Sequence, residues 1–228
     1  MTVRVLSAGA AKGLVGDVQP DFEASHGTTV SGSFSAVGVI RERFESGEGC
    51  DVLILTAKQL AELARSGAVR GVAPIGTVRT AVAVPADRAK PDVSTGAAFA
   101  AAMRAASAVY MPDAFKSTAG IHVRSVLAAL GLEAEMAPKL RMFPNGETAM
   151  RTLAEEAPEG GIGTTQMTEI LYTPGLALVG PLPPEHDLST VYAAAVSTGT
   201  AMPDEAEALV ALLTGAATAG LRQRSGFE

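Results

Sequence analysis

Residues 1–14 read MTVRVLSAGAAKGL, and this stretch decides the fold class. Residues 3–6 have the pattern of a buried strand, and residues 7–12 have the small side chains of a turn that leads into a helix. Small-molecule sites are often built in this way at the end of a parallel strand. The stretch therefore predicts an α/β domain with a ligand-binding edge.

The same alternation of strand and helix patterns continues along the chain. Predicted strands lie at residues 3–6, 29–34, 51–55, 80–84, 108–111, 139–143, 159–164, 176–180 and 191–196. Predicted helices lie at residues 12–25, 37–46, 57–66, 96–106, 120–130, 147–156, 166–171 and 203–214, with a last one near 217–224. Short strands that alternate with amphipathic helices are typical of βαβ units.

Two proline-marked segments suggest that the chain crosses twice between two lobes. They are TAVAVPADRAKP at residues 80–91 and VGPLPPEHDLSTVYAAAV at residues 179–196. A chain that leaves one lobe, builds a second and returns needs two such crossings. We therefore predict a discontinuous lobe 1 of residues 1–82 plus 193–228, a lobe 2 of residues 83–192, and a ligand cleft between them.

Composition narrows the classes of partner. The chain has 228 residues, a net charge of -6, aromatic residues at only 4% and no Trp, which argues against a nucleic-acid partner. Cys50 is the single cysteine, so neither an intramolecular disulfide nor a thiol metal cluster forms. No apolar run is long enough to insert into a membrane, and no signal pattern occurs. The expectation is a cytoplasmic protein, or a periplasmic one if a signal peptide was trimmed before Met1.

Several strand ends lead through small or hydroxyl residues into a helix start. They are SAGAA at residues 7–11, SFSAVG at 33–38, KSTAG at 116–120 and PNGE at 144–147. Helix starts offer unpaired N–H groups and partial positive charge, which favours a bound anion, although such residues are also ordinary helix caps. The predicted ligand contacts at strand ends are Ser7, Ala8, Gly9, Ser35, Thr56, Ser117, Thr118, Asn145 and Thr164.

Motifs along nearly the whole chain resemble one protein family. VRVLSAGAAKGL, GGIGTTQMTEI, LVGPLPPEHDLSTVYAAAV and LLTGAATAGLRQRSGFE follow one another as in type II periplasmic binding proteins, and the sequence resembles the molybdate-binding-protein-like branch. Within that branch it is most similar to short substrate-binding-domain proteins, taken as cytoplasmic, that include an aconitate isomerase. The resemblance implies a two-lobed α/β fold with a ligand cleft and no cofactor.

The sequence departs from the molybdate binders at the positions that matter for the ligand. Those proteins place hydroxyl residues at the first two helix starts and a tyrosine after the late Gly-Ile strand. The matching positions here hold Ala10, Ala36 or Val37, and Gln166. Gln166 offers neutral hydrogen bonds, which suit a carboxylate or carbonyl group. These departures favour a small organic carboxylate over a tetrahedral oxyanion.

Three further side chains are candidates for charge recognition and proton transfer. Arg79 precedes the first crossing strand, where it either binds a carboxylate in bidentate fashion or lies solvated on the surface. His122, in the first turn after KSTAG, is either a neutral base or an ordinary packed helical residue. Glu147 is either a base or a carboxylate that stabilises a helix start.

Two classes of function remain at this point. One is a cofactor-independent isomerase that moves a double bond in an unsaturated polycarboxylate, as the resemblance implies. The other is a non-catalytic binding protein, which delivers a small anion to an ABC permease if exported or serves as an intracellular ligand sensor. The sequence contains no HExxH, zinc-type Cys/His set or GKS/T loop, so neither a metal nor a nucleotide is expected.

Overall fold

A computed structural model describes residues 1–228 as a mixed α/β protein with nine strands and ten α-helices. The α/β prediction is confirmed. The residues divide into two compact units, Met1–Val78 with Thr190–Glu228, and Arg79–Ser189. We call these unit 1 and unit 2 and describe each by itself. No helix is both long and apolar enough to cross a membrane.

Unit 1 contains three parallel strands, most of one antiparallel strand and the first part of a long strand. Its elements are β1 (Thr2–Ala8), α1 (Lys12–His26), β2 (Thr29–Ser35), α2 (Val37–Glu45), β3 (Val52–Thr56), α3 (Ala57–Arg65), the first part of β4 (Val69–Pro85), most of β9 (Ser189–Ser197), α9 (Pro203–Thr214) and α10 (Ala219–Arg224). The strand order is β2-β1-β3-β9, with β9 antiparallel to β3. The parallel strands therefore present their carboxyl ends at one edge.

Unit 2 also combines three parallel strands with antiparallel ones, but its elements are connected differently. Its elements are the second part of β4, α4 (Gly96–Ala105), β5 (Ala108–Pro112), α5 (Thr118–Ala129), α6 (Glu133–Met136), β6 (Leu140–Phe143), α7 (Gly146–Glu156), β7 (Gly161–Gln166), α8 (Met167–Leu171) and β8 (Leu176–Pro181). The strand order is β8-β4-β7-β5-β6; β5, β6 and β7 are parallel, and β4 is antiparallel to β7 and β8.

Two apolar layers cover the faces of the unit 2 sheet. One face carries Val82 and Ile162 and packs under α4 and α5. The other carries Ala81 and Ala83 and packs under α7 and α8. Because side chains alternate between the faces of a strand, the last residues of β7 divide between these two layers. This division positions the polar groups described below.

The structure differs from the predicted elements in two places that bear on function. β4 is 17 residues long, whereas the sequence predicted residues 80–84, because Gly71 and Pro74 give the earlier part the composition of a loop. Gly71 indeed has a positive φ of 63° inside this strand. β7 ends at Gln166 rather than at residue 164, so Gln166 is a strand residue that precedes α8 rather than its first helical residue.

Candidate functional site

The candidate site of unit 2 lies at the carboxyl ends of β5, β6 and β7. The parallel register of these strands brings their ends to one edge. A helix follows β5 and β6 after a short turn and follows β7 directly. Ligands of open α/β sheets bind at this edge. Of the predicted ligand residues, Ser117, Asn145 and Gln166 stand before α5, α7 and α8 respectively.

Three buried polar side chains meet on one face at the end of β7, and we call them the Gln166 cluster: Thr80, Thr164 and Gln166. Thr80 pairs with Gln166 across β4 and β7, and Thr164 lies two residues before Gln166, so all three point to the same face. Ile162, which precedes Thr164 by two residues on β7, points to this face as well, and α5 covers the face. The cluster therefore lies at the polar end of an apolar layer.

None of these side chains has a hydrogen-bond partner within the protein. Thr80 and Thr164 are fully buried and Gln166 is 3% exposed. The Thr80 and Thr164 hydroxyls and both polar atoms of the Gln166 amide lack partners, as does the hydroxyl of nearby Thr168 in α8. A buried polar group without a partner costs about 1–3 kcal/mol, and most native groups avoid it. Several such groups at one strand end make this edge the candidate ligand site of unit 2.

The start of α5 approaches this edge closely. A Cβ on Gly120 would overlap the backbone oxygens of Pro112 and Asp113, so only glycine allows the first turn of α5 to lie against the end of β5. His122 follows in the same turn, and its Nε2 lies 2.7 Å from the carbonyl oxygen of His186. That nitrogen must carry the proton and donate it, because a carbonyl only accepts.

On the opposite face of β7, a carboxylate lies against the start of α7. Glu169, in α8, accepts a hydrogen bond from the Thr165 hydroxyl at 2.5 Å. Backbone N–H groups of Gln166 and Glu147 also donate to it. A Cβ on Gly146 would overlap both the Thr165 hydroxyl and the Glu169 carboxylate, so glycine is required for this approach.

The Glu169 carboxyl group has a raised pKa. Burial raises its pKa from 4.5 to about 7, although hydrogen bonds from Thr165 and Gln166 oppose the shift. The negative charge of Glu147 raises the pKa further. A carboxyl group whose pKa lies near neutral pH both accepts and donates a proton, which is the property of a general acid–base group.

Other predicted residues of unit 2 organise the helix starts. The Ser117 hydroxyl accepts from the Gly120 N–H at 3.5 Å, and Asn145 Oδ1 accepts from the Thr148 N–H at 2.8 Å. Both side chains are therefore helix caps, which was one of the two interpretations of the sequence. Thr118 is the first residue of α5 and is half-buried.

Arg79 lies beside the cluster in sequence but has a partner of its own. Its Nε donates to Asp187 Oδ1 at 3.0 Å, and both side chains are about a quarter exposed, at 27% and 24%. Arg79 also lines a surface cavity of about 470 Å³ together with Asp92, Ser94 and Leu182. The other nitrogens of its guanidinium keep their donor capacity, so the ion pair leaves the carboxylate hypothesis open.

The unit 1 residues come together at the corresponding edge of their own sheet. Ala8 pairs with Ser35 across β1 and β2, and Thr56 ends β3. Ser7 is fully buried, and its hydroxyl donates to the Ala8 carbonyl at 2.9 Å; Gly9 begins a short 3-10 turn. Thr56 caps α3 by accepting from the Gln59 N–H at 3.4 Å.

Sequence reasoning missed three residues of the unit 2 edge. The sequence predicts Thr80 only as a strand residue and places Thr168 and Glu169 in a predicted helix. A signal was present in TTQMTEI, where polar residues continue past Gln166 to Thr168 and Glu169. No group of three or more His, Cys, Asp or Glu side chains is arranged to hold a metal ion.

Comparisons with known proteins agree with this architecture. The chain is 27% identical to an aconitate isomerase from Pseudomonas sp., over 100% of this chain and 87% of that protein. Its structure is similar to a periplasmic molybdate-binding protein from Azotobacter vinelandii, with a TM-score of 0.81 and 17% identity over 99% and 98% of the two chains. It is also similar to a sulfate-binding protein from Mycobacterium tuberculosis, with a TM-score of 0.76 and 17% identity over 100% and 86%.

These structural likenesses confirm the expected type II periplasmic-binding-protein fold. The sequence profile of the bacterial extracellular solute-binding proteins matches residues 3–228, almost the whole chain. The protein therefore belongs to the bacterial extracellular solute-binding protein family.

Proposed function

We propose that this solute-binding protein binds a small unsaturated polycarboxylate and isomerises it by moving a double bond, without a cofactor. The observation that carries the proposal is the Gln166 cluster, whose buried amide and hydroxyl groups have no partner in the protein. The 27% identity to an aconitate isomerase over the whole chain supports the reaction class.

The chemistry of the cluster suits a carboxylate. The Gln166 amide donates two hydrogen bonds and accepts through its oxygen, and each threonine hydroxyl does both. Such a set binds a carboxylate oxygen through the donors and a protonated carboxyl or hydroxyl group through the acceptors. The starts of α5 and α7 at the same edge add partial positive charge. A ligand at the end of β7 would therefore satisfy groups that the protein leaves unsatisfied.

Proton exchange is the direct test of the reaction. We would incubate the purified protein with cis-aconitate in deuterated water and follow the acid by proton NMR. The proposal predicts deuterium at the allylic carbon and the appearance of the trans isomer. A protein that neither exchanges the proton nor forms an isomer with cis-aconitate or trans-aconitate would refute the isomerase proposal.

Substitution of Gln166 tests the site independently of the reaction. Gln166→Leu removes the amide, so we expect the affinity for cis-aconitate to fall about tenfold or more, which corresponds to at least about 1.4 kcal/mol. Isothermal titration calorimetry measures this change. The matched control is Gln223→Leu, the same substitution at an exposed position of α10. Equal affinities for both variants would remove the Gln166 cluster from the site.

A second candidate is ligand binding without catalysis, with delivery to an ABC permease or use as a ligand sensor. The family match and the similarity to molybdate-binding and sulfate-binding structures favour it. Calorimetry with molybdate, sulfate and cis-aconitate separates the candidates. Binding of an acid without deuterium exchange would support a binding protein for carboxylates. Binding of molybdate or sulfate alone would support an oxyanion-binding protein.

A further inference from the structure

The Gln166 cluster places a requirement on its ligand that a carboxylate alone does not meet. The side-chain amide of Gln166 has a nitrogen that donates hydrogen bonds and an oxygen that only accepts them. Both atoms are buried, and neither has a partner within the protein. A ligand that satisfies the whole amide therefore presents an acceptor to one end and a donor to the other. Because both ends are unpartnered, this holds whichever way round the amide lies.

An ionised carboxylate supplies only half of this set. Its two oxygens accept hydrogen bonds, and it has no hydrogen to donate. The Gln166 amide nitrogen and the hydroxyls of Thr80 and Thr164 are unpartnered donors that suit these oxygens. The amide oxygen would remain without a donor, because no N–H or O–H group of the protein bonds to it. A buried acceptor left in that state weakens the binding of the ligand.

Two neutral groups of a small organic acid could supply the missing donor, a protonated carboxyl group or a hydroxyl group. A carboxyl group with an ordinary pKa of about 4.3 is protonated at pH 7 in only about one molecule in 500. A hydroxyl group keeps its hydrogen throughout the physiological range of pH. The hydroxyl group is therefore the donor that is available without a cost in proton uptake.

A ligand ammonium group also donates, but the charges at this edge oppose it. Thr80, Thr164 and Gln166 are uncharged, so none of them neutralises a buried cation. The starts of α5 and α7 add partial positive charge at the same edge. The carboxylates of Glu147 and Glu169 belong to α7 and α8, which cover the opposite face of the sheet. An alcohol thus fits the cluster better than an amine.

We infer that the Gln166 cluster prefers a hydroxycarboxylate, in which a hydroxyl group lies beside the carboxylate that the cluster binds. The hydroxyl donates to the Gln166 amide oxygen, while the carboxylate accepts from the amide nitrogen and from the hydroxyls of Thr80 and Thr164. This inference rests on the proposed function in that it takes the Gln166 cluster as the ligand site, but it does not depend on catalysis.

The preference has a consequence for acids that lack the hydroxyl group, such as cis-aconitate. A water molecule can donate to the amide oxygen in place of the hydroxyl, although its immobilisation lowers the affinity. Sites that hydrogen-bond a ligand hydroxyl discriminate against the analogue without it. A hydroxy acid of similar size should therefore compete with cis-aconitate for the cluster.

Matched pairs of acids test the preference in the wild-type protein. Citrate and propane-1,2,3-tricarboxylate differ only by one hydroxyl group, and so do malate and succinate, which cover a smaller size. Isothermal titration calorimetry at pH 7 measures the affinity for each acid. In each pair that binds, we expect the hydroxy acid to bind at least about tenfold more tightly, which corresponds to about 1.4 kcal/mol.

Substitution of Gln166 then locates the preference. Gln166→Leu removes the amide oxygen, so the ratio of affinities within a pair should fall below about threefold. Gln166→Met, whose side chain is unbranched like that of glutamine, is the second variant in case the leucine protein does not fold. The matched control is Gln223→Leu on the exposed part of α10, which should keep the wild-type ratio.

The outcomes separate this inference from the proposed function. Binding of cis-aconitate with no preference for the hydroxy acid in either pair overturns the inference and leaves the proposed function standing. A preference that persists in the Gln166 variants overturns the assignment of the hydroxyl to this amide. A clear preference in a protein that exchanges no deuterium supports the inference and refutes the isomerase. If the wild-type protein binds none of these acids, the carboxylate site and the inference both fall.

Discussion

The two strand edges differ in how their polar groups are satisfied. In unit 1, the Ser7 hydroxyl donates to the Ala8 carbonyl and the Thr56 hydroxyl caps α3. In unit 2, the hydroxyls of Thr80 and Thr164 and the amide of Gln166 have no partner. These two unit 1 hydroxyls are satisfied within the protein, whereas the unit 2 side chains are not. Unit 2 therefore holds the unpartnered side chains on which the proposed function rests.

The helix starts show the reverse arrangement. Ala11 and Ala36 stand before α1 and α2 and have no side-chain hydrogen bond to cap them. Ser117 and Asn145 cap α5 and α7. The N–H groups at the starts of α1 and α2 thus lack a capping side chain, and a ligand anion is one partner that suits them. Unit 1 therefore has uncapped backbone N–H donors at these helix starts, whereas unit 2 has unpartnered polar side chains at its strand edge.

The largest effect should come from Gly146→Ala, which breaks the close approach on the unit 2 edge. Alanine normally stabilises a helix relative to glycine. Here the added Cβ would displace Thr165 and Glu169, so we expect a loss of roughly 2–3 kcal/mol in the free energy of unfolding. Urea denaturation measures this. Gly180→Ala is the control, since nothing lies within 4 Å of its Cβ position; equal stabilities would contradict the packing.

The pH dependence of stability should show the second-largest effect. The Glu169 carboxyl ionises near 4.5 when unfolded and at about 7 when folded, so between these values only the unfolded state loses the proton. Its contribution to stability is therefore greatest at low pH and falls by about 2 kcal/mol as pH rises from 4.5 to 7. The difference in unfolding free energy between wild type and Glu169→Gln isolates this group. Parallel curves over this range would contradict the enclosed carboxylate.

A pair of threonine substitutions tests the contrast between the edges directly. Thr164→Val removes a hydroxyl that has no partner, so we expect the protein to gain about 1 kcal/mol of stability in the absence of ligand. Thr56→Val removes a helix cap in unit 1, so we expect a loss of about 1 kcal/mol. Thermal unfolding with calorimetry measures both changes. Stability changes of the same sign in the two variants would contradict the difference between the two edges.

The sequence predicted the elements well because their signals are local. The small residues after β1 and the Gly-Ile pattern of β7 both lie within one short window, as does the Asn145 cap. The length of β4 was missed because Gly71 and Pro74 give its first part the composition of a loop. Local composition is misleading there.

The state of the site residues depended on distant pairing and could not be read from sequence. Gln166 was named as a ligand residue, but only the fold pairs it with Thr80, which lies far away in the chain, and leaves its buried amide without a partner. Glu169 was missed because its burial requires Gly146 to approach α8. The sequence shows which residues are polar, whereas only the fold decides whether a polar side chain has a hydrogen-bond partner.

Arg79→Ala should show the smallest effect on stability. The ion pair with Asp187 is partly exposed, so its loss costs below about 1 kcal/mol in the free energy of unfolding. The remaining donors of the guanidinium still suit a carboxylate, so we expect the thermal stabilisation by cis-aconitate to fall by more than the stability itself. Arg70→Ala, which removes the exposed ion pair with Glu207 in unit 1, is the control. Unchanged stabilisation by the acid in Arg79→Ala would leave Arg79 as a structural partner of Asp187 and restrict recognition to the uncharged Gln166 cluster.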